Sequence, residues 1–202
     1  MNLREPETEY IYVIDEADRI VSLSDNWLLF AQENEATASC HPDAIMNKPI
    51  WDYISGMETR YLFKVTLEKV RTTGKSLVLP FRCDAPDRRR YLELLITPVH
   101  RKCIEFTSSI IREESRDTVE LLETGIPRSD EIIKMCSMCK KIELSGGNWV
   151  EVEIAVAALK LFEQLELPQI SHGLCTECFE LGIAEVKKLG HSSPNQKPSA
   201  DD

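Results

Sequence analysis

Two pairs of cysteines constrain this chain of 202 residues more than any other feature of its sequence. Cys136 and Cys139 form the first pair, Cys175 and Cys178 form the second, and two residues separate the members of each pair. Two thiolates at this spacing can turn toward one metal ion, and two such pairs supply the four sulfurs that zinc prefers in structural sites. The sequence therefore predicts a zinc site made of these four side chains.

Other interpretations of these thiols stay open at the level of sequence. The four cysteines could form a thiol–disulfide switch, with or without release of zinc, or they could be unrelated packing residues. His172 lies three residues before Cys175. We expect it to hydrogen-bond a ligand sulfur or to pack in its loop, and replacement of one cysteine as a ligand is the alternative. A closed site of four thiolates leaves no open position for substrate, so catalytic zinc is not predicted.

The remaining cysteines, Cys40, Cys83 and Cys103, stand alone along the chain. A total of seven is an odd number and does not indicate a disulfide framework. Residues 1–9 have no apolar core of the signal-peptide type, and no apolar run approaches the length of a membrane-spanning helix. We therefore expect a cytoplasmic protein with reduced thiols and no membrane partner.

The charge of the chain argues against nucleic acid as a partner. Its 24 basic and 34 acidic residues give a net charge of −10, and residues 1–130 and 131–202 are both acidic. Binding to a phosphate backbone requires a basic surface. The single dense basic cluster is expected to be a solvated hairpin offset by nearby acids, and a site for an acidic partner is the alternative. This cluster consists of Arg82, Arg88, Arg89 and Arg90.

The pattern of apolar residues predicts a mixed α+β domain over residues 1–115. Five runs rich in branched and aromatic residues are expected to be strands, at 9–14, 19–23, 76–83, 90–97 and 102–110. Residues 58–73 have apolar side chains at helical spacing before Gly74, and a short helix is predicted from Asn26 to Ala31. This order predicts a five-stranded antiparallel sheet with helices on one face.

A small helical module is expected to contain the cysteine pairs, at residues 134–189. Asn148 and Glu151 have the spacing of a capping box, and apolar residues recur at helical spacing from there until Pro168. A unit this small has little core, so a metal clamp is expected to supply much of its folding free energy. Residues 116–133 are interpreted as a polar connector and residues 190–202 as a disordered tail.

Segments of the first 115 residues resemble PAS domains, the small sensory modules of bacterial signalling proteins. These segments are 20–27, 30–34, 49–54 and 81–90. The resemblance implies a module that holds a small ligand between sheet and helices, or that forms a homodimer. It identifies no particular ligand: Cys40 and His41 offer two possible haem ligands, but an exposed loop is the preferred interpretation. Five aromatic residues are expected in the core or the cavity wall: Trp27, Phe30, Trp51, Tyr53 and Phe63.

Segments around the cysteine pairs carry a second resemblance. Residues 135–142, 148–149 and 170–178 are similar to a module found beside PAS domains in bacterial sensor histidine kinases and cyclases. The sequence contains no kinase signature, phosphate loop, dinucleotide fingerprint or nucleophile elbow. We therefore expect a non-catalytic sensory or regulatory protein that acts on a signalling protein partner. A thiol-based redox sensor and a thiol oxidoreductase are the alternatives.

Overall fold

Alternating apolar residues build an antiparallel sheet in the first part of the chain. The structure, a computed structural model, describes residues 9–27 and 41–190. The strands of this sheet are β1 (Glu9–Ile14), β2 (Ile20–Leu23), β3 (Leu77–Arg82), β4 (Arg88–Pro98) and β5 (Ile104–Ser115). Their spatial order is β2-β1-β5-β4-β3, and each neighbouring pair is antiparallel. The prediction of a five-stranded antiparallel sheet is confirmed.

A long helix, α2 (Met57–Thr73), packs on one face of this sheet. Leu62 and Leu67 of the helix are buried in the same cluster as Ile96 and Phe106 of the sheet. Gly74 ends the helix in the left-handed conformation, with φ +67°, where the sequence predicted the end. The short helix α1 (Pro42–Ile45) and a 3-10 turn (Ile50–Asp52) precede it. The helix predicted up to Ala31 and the predicted tail lie outside the described residues, apart from Asn26, Trp27 and Gly190.

The part of the chain that carries the cysteine pairs contains a second sheet, so the prediction of a purely helical module is corrected. Its strands are β6 (Arg128–Cys136), β7 (Ile142–Leu144), β8 (Asn148–Val150) and β9 (Leu167–Gly173). Their order is β8-β7-β6-β9, and β6 is parallel to β9. Strand β6 begins inside the segment that we interpreted as a connector. Its pairing with a distant strand stabilises it, and the local pattern of residues does not reveal that pairing.

Two helices complete this part. The helix α3 (Val152–Ala158) is shorter than predicted: it follows Glu151 and ends well before Pro168. The prediction that Asn148 caps the helix was wrong, because Asn148 lies in β8 and pairs with Leu144 of β7. The helix α4 (Thr176–Gly190) follows Cys175 directly and was not predicted. Among the described residues, no helix combines the length and the apolar character needed to cross a membrane.

The two parts of the chain share one buried cluster of apolar side chains. Helix α4 lies along α2 and beside β3, and its Val186 and Leu189 join the core of the five-stranded sheet. Gly182 allows the close approach of the two helices, because a Cβ at this position would lie 2.6 Å from a methyl carbon of Leu62. A separate cluster that includes Leu121 lies against the second sheet. The cysteine pairs are therefore anchored to the first sheet by packing.

Candidate metal centre

The structure brings the four paired cysteines together in one cluster. The sulfur atoms of Cys136, Cys139, Cys175 and Cys178 all lie within 4.8 Å of one another. The sulfurs of Cys139 and Cys175 are 3.7 Å apart. This distance is close to the edge of about 3.8 Å that a tetrahedron has when its zinc–sulfur bonds are about 2.3 Å. The cluster could therefore hold a metal ion.

The first pair lies at the end of β6 and in the turn that follows. The backbone N–H of Cys136 donates to the carbonyl of Lys141 at 2.8 Å, and the N–H of Lys140 donates to the carbonyl of Cys136 at 3.1 Å. Lys140 adopts the left-handed conformation, with φ +62°. The chain reverses in this turn, so the sulfurs of Cys136 and Cys139 face one point. We call residues 137–140 the first cysteine turn.

The second pair lies at the junction of β9 and α4. The N–H of Phe179 donates to the carbonyl of Cys175 at 2.9 Å, which places Cys175 at the amino end of the helix. Backbone N–H groups also point at sulfur: Cys178 donates to the sulfur of Cys175 at 3.5 Å. Cys175 in turn donates to the sulfur of Cys136 at 3.4 Å. These donors and the positive end of the helix dipole stabilise thiolates.

The four thiols do not ionise independently of one another. Hydrogen bonds from Cys139 and Cys178 hold the pKa of Cys136 far below its usual value. The contact with Cys136 raises the pKa of Cys139 to about 12 and also raises that of Cys178. One thiolate is thus stabilised by its thiol neighbours, and its charge opposes further ionisation. A cation at the centre of the cluster is what would hold all four residues as thiolates.

Access to the cluster differs between its members. Cys136 and Cys175 are buried, whereas Cys139 and Cys178 are half-buried. The half-buried pair borders a groove of about 420 Å³ between β3 and α4. The groove is also lined by Arg82 of the β3–β4 hairpin. Two of the four sulfurs are therefore reachable from solvent along one side.

His172, the other predicted site residue, lies on β9 and is exposed. Within the described residues, the group of candidate ligands contains the four cysteines and does not include His172. Partial desolvation of its ring lowers its pKa, and the positive charge of Lys140 adds to that effect. The structure thus places His172 near Lys140 of the first cysteine turn.

A cavity of about 390 Å³ lies between the five-stranded sheet and the first cysteine turn. Ser137, Met138 and Lys140 of the turn form one wall. Tyr12 lines the opposite wall, stacks on Phe106 with ring centroids 4.5 Å apart, and meets Trp27 edge-on at 5.8 Å.

The outcomes for the predicted aromatic positions differ. Trp27, Tyr53 and Phe63 line the cavity. Trp51 lies outside the cavity lining but packs against the core cluster, and its indole N–H donates to a carboxylate oxygen of Asp18 at 2.9 Å. Phe30 lies outside the described residues.

Hydrogen bonds tie the first cysteine turn to the sheet and to α2. The N–H of Arg82 in β3 donates to the carbonyl of Met138 at 2.7 Å. The hydroxyl of Thr59 in α2 donates to the hydroxyl of Ser137 at 3.2 Å. Sequence reasoning missed this wall of the cavity, because its contacts join residues far apart in the chain and leave no local signal.

The basic cluster at the β3–β4 hairpin is paired with acidic residues, some of which come from the second part of the chain. Arg82 donates to Glu151 at 2.8 Å and also pairs with Asp84. Arg89 lies 2.6 Å from a carboxylate oxygen of Glu153. The expected offset by nearby acids is confirmed, because Arg82 pairs with Asp84 and Arg88 pairs with Asp87. The expectation of a solvated hairpin is corrected, since Arg82 is buried and other ion pairs join the hairpin to the start of α3. The second part of the chain supplies acids that the local sequence does not show.

Within the part of the chain that the structure describes, the remaining candidate residues are not members of the four-cysteine cluster. Cys40 lies outside the described residues, and the side chain of His41 accepts a hydrogen bond at 3.3 Å from the backbone N–H of Asp43 in α1. Cys83 and Cys103 are half-buried and do not belong to the group of candidate metal ligands.

Comparison with protein-family models found no match for this chain, and no curated protein matches it. The two resemblances described above therefore rest on the segments of sequence that carry them.

Proposed function

We propose that this protein is a non-catalytic sensory or regulatory component of signal transduction, in which a PAS-like sheet domain is coupled to a zinc centre. One observation carries this proposal: the first cysteine turn directly follows Cys136, contains Cys139, and also forms a wall of the cavity. A metal that holds Cys136 and Cys139 would fix that wall in place. Occupancy of the cavity and occupancy of the centre would then influence each other.

The architecture of the first part supports the PAS-like assignment. A five-stranded antiparallel sheet with α2 across one face is what the resemblance implies. The same resemblance implies a ligand between sheet and helices. The cavity lies in that position, because its lining includes Phe63 of α2 and Leu94 of β4.

The donor set supports zinc as the metal and a structural role for it. Four thiolates in a tetrahedral arrangement suit zinc, whereas calcium and magnesium require oxygen ligands. Cys136, Cys139, Cys175 and Cys178 would hold the ion. Because protein sulfurs would fill all four positions, no position would remain for a substrate or a reactive water.

A thiol-based redox sensor is the second candidate, and the half-buried state of Cys139 and Cys178 favours it. Hydrogen peroxide arriving through the groove would take two electrons from a pair of thiolates and, with two protons from solvent, be reduced to two water molecules. A disulfide would form, and the ion would lose two ligands. The same geometry therefore permits a switch in which release of zinc is the signal.

Metal analysis of the full chain, purified under reducing conditions, separates the two candidates. The zinc centre predicts about one zinc per chain, retained after mild oxidation. Zinc that is lost when an oxidant forms disulfides, or a metal-free protein that forms disulfides with oxidant, would favour the redox sensor.

Coupling is tested separately by hydrogen exchange with and without a chelator. We expect metal removal to increase exchange in β3, whose Arg82 N–H bonds to Met138, as well as in the first cysteine turn. An increase confined to residues 128–190 would contradict coupling of the centre to the five-stranded sheet.

We further propose a signalling protein as the partner and a homodimer formed through the PAS-like domain. A cytoplasmic location follows from the proposed centre, because four reduced thiolates require a reducing compartment. Sedimentation of the zinc-loaded chain tests the dimer, and a monomer at all accessible concentrations would contradict it.

A further inference from the structure

The cavity behind the first cysteine turn is lined by aromatic rings. Six aromatic side chains contribute to its walls: Tyr10, Tyr12, Trp27, Tyr53, Phe63 and Phe81. The edge-on contact between Tyr12 and Trp27 holds two of these rings at an interplanar angle of 75°. Its volume of about 390 Å³ lies within the range of about 300–1,000 Å³ typical of small-molecule sites. Walls of this kind favour a flat ring system over a flexible chain.

The cavity contains a cationic group and no acidic one. Lys140 supplies the positive charge, His172 adds an imidazole ring that can donate a hydrogen bond, and none of the described residues that line the cavity is acidic. This selection stands out in a chain with 34 acidic and 24 basic residues. The ammonium group of Lys140 donates to the carbonyl of Ser137 at 3.0 Å, which positions it and leaves two further donors for a ligand. Hydroxyl groups of Thr59 and Ser137 lie in the same lining.

We propose that this cavity binds a small planar aromatic compound that carries a carboxylate group. The ring system would lie among Tyr12, Trp27 and Phe81, and the carboxylate would face Lys140 and His172. The inference rests on the proposed function and names the chemical class of its ligand. A carboxylate accepts charge-assisted hydrogen bonds from an ammonium group and further bonds from hydroxyls, and the aromatic walls bury the rest of the molecule.

The position of Lys140 places this ligand against the first cysteine turn, next to the candidate metal centre. Lys140 follows Cys139 in the chain, and its left-handed backbone is part of the turn that orients the Cys139 sulfur. The ligand would therefore bridge the aromatic sheet wall and the first cysteine turn. The five-stranded sheet would supply the shape of the site, and the cysteine part of the chain would supply its preference for anions.

The test compares two probes of the same shape, 2-naphthoate and 2-naphthalenemethanol, by isothermal titration calorimetry with the zinc-loaded full chain. We expect 2-naphthoate to bind about tenfold more tightly than the neutral probe. This is the factor in affinity that one charge-assisted hydrogen bond near solvent contributes. Lys140→Gln should reduce that affinity by about tenfold and leave the affinity for the neutral probe unchanged. Binding of the neutral probe also reports that the variant is folded.

Lys141→Gln is the matched control. Lys141 is the next residue in the chain, but its ammonium group lies 3.0 Å from Glu177 and it does not line the cavity. We expect both affinities to be unchanged in this variant. Ser108→Phe, which places a ring inside the cavity, should abolish binding of both probes. Continued binding there would show that the probes bind elsewhere, and would overturn the inference.

Each of the other outcomes is also decisive. Equal affinity for the two probes, or equal losses in the Lys140 and Lys141 variants, would overturn the assignment of an anionic ligand. Absence of binding by either probe would overturn the inference as a whole. The proposed function is judged separately, by zinc content and by hydrogen exchange without any ligand, so the two failures are distinguishable.

Discussion

Replacement of Gly182 by alanine tests how closely α4 packs on α2. A Cβ at this position would lie 2.6 Å and 2.8 Å from the two methyl carbons of Leu62. Leu62 has no exposed surface, so its side chain cannot move into solvent to relieve the contact. The substitution therefore places an extra methyl group in a space that is already filled.

Two opposing effects set the magnitude. Alanine is favoured over glycine in a helix interior by about 0.8–1.0 kcal/mol, while overpacking a core contact costs about 1–3 kcal/mol. We expect Gly182→Ala to lower the free energy of unfolding by up to about 2 kcal/mol. In a chain that also carries Leu62→Ala the clash is absent, and the same change should raise the free energy of unfolding by about 1 kcal/mol.

Urea denaturation of the zinc-loaded full chain measures the four members of this double-mutant cycle. Leu62→Ala alone costs about 2–5 kcal/mol, so the baseline of the folded state must be recorded from zero denaturant. Ala184→Gly, at an exposed position of the same helix, is the control and should cost about 1 kcal/mol in both backgrounds. If Gly182→Ala changes stability equally in the two backgrounds, within about 0.5 kcal/mol, the packing described for α4 is refuted.

Three further predictions concern the centre, a glycine contact and pH. Cys175→Ser should reduce the zinc content of the purified protein from about one per chain to a small fraction of that, and full retention by elemental analysis would contradict the assigned ligand set. Gly56→Ala should lower the free energy of unfolding by about 1–3 kcal/mol, because Gly56 has φ +85° and a Cβ there would lie 2.6 Å from the carbonyl oxygen of His172. An unchanged midpoint of thermal unfolding would count against this contact. Desolvation acts to raise the pKa of Glu153, but the hydrogen bond from Arg89 and nearby positive charge lower it overall. The stability that Glu153 contributes is therefore present above the unfolded pKa of about 4.3 and is lost as the pH falls through the lower folded value. Glu153→Gln should flatten the acid side of the curve of unfolding free energy against pH. Superimposable curves for the variant and the unsubstituted protein would refute this.

Most of the first sheet was predictable because each element carries its own local pattern. In β3, Leu77 and Leu79 are buried while Val78 between them is exposed, which is the alternation of a half-buried strand. The end of α2 was equally clear, since Gly74 adopts a conformation that other residues disfavour. In these elements local preference and tertiary packing agree.

The second sheet was not predictable, because its strands depend on distant partners. Strands β7 and β8 have only 3 residues each, too few for an alternating pattern to be distinctive. Strand β6 pairs with a strand far along the chain, with Lys134 opposite Ser171. Asn148 has the spacing of a helix cap from Glu151, yet strand pairing with β7 prevails over that local preference.

The candidate site, like the fold, has one part that the sequence predicts and one part that it does not. The four cysteines were predictable because the geometry of a metal turn is local and fixes their spacing. The cavity wall was not, since the bond between Thr59 and Ser137 joins residues 78 positions apart. The fold itself creates the link between cavity and cysteines.

The shared core changes what loss of metal should do to this protein. A cysteine module of this size, folded alone, would depend on its metal for stability. Here Val186 and Leu189 of α4 are buried in the core of the first sheet, so apolar packing holds the helix in addition to any metal. In the first cysteine turn only Met138 is buried in that core, whereas Ser137, Cys139 and Lys140 are half-buried and have less packing to hold them. Metal loss should therefore loosen the cavity wall before it releases the helix, because segments with few buried contacts open first. A change at the ligand site without unfolding of the chain is the property that regulation through this centre requires.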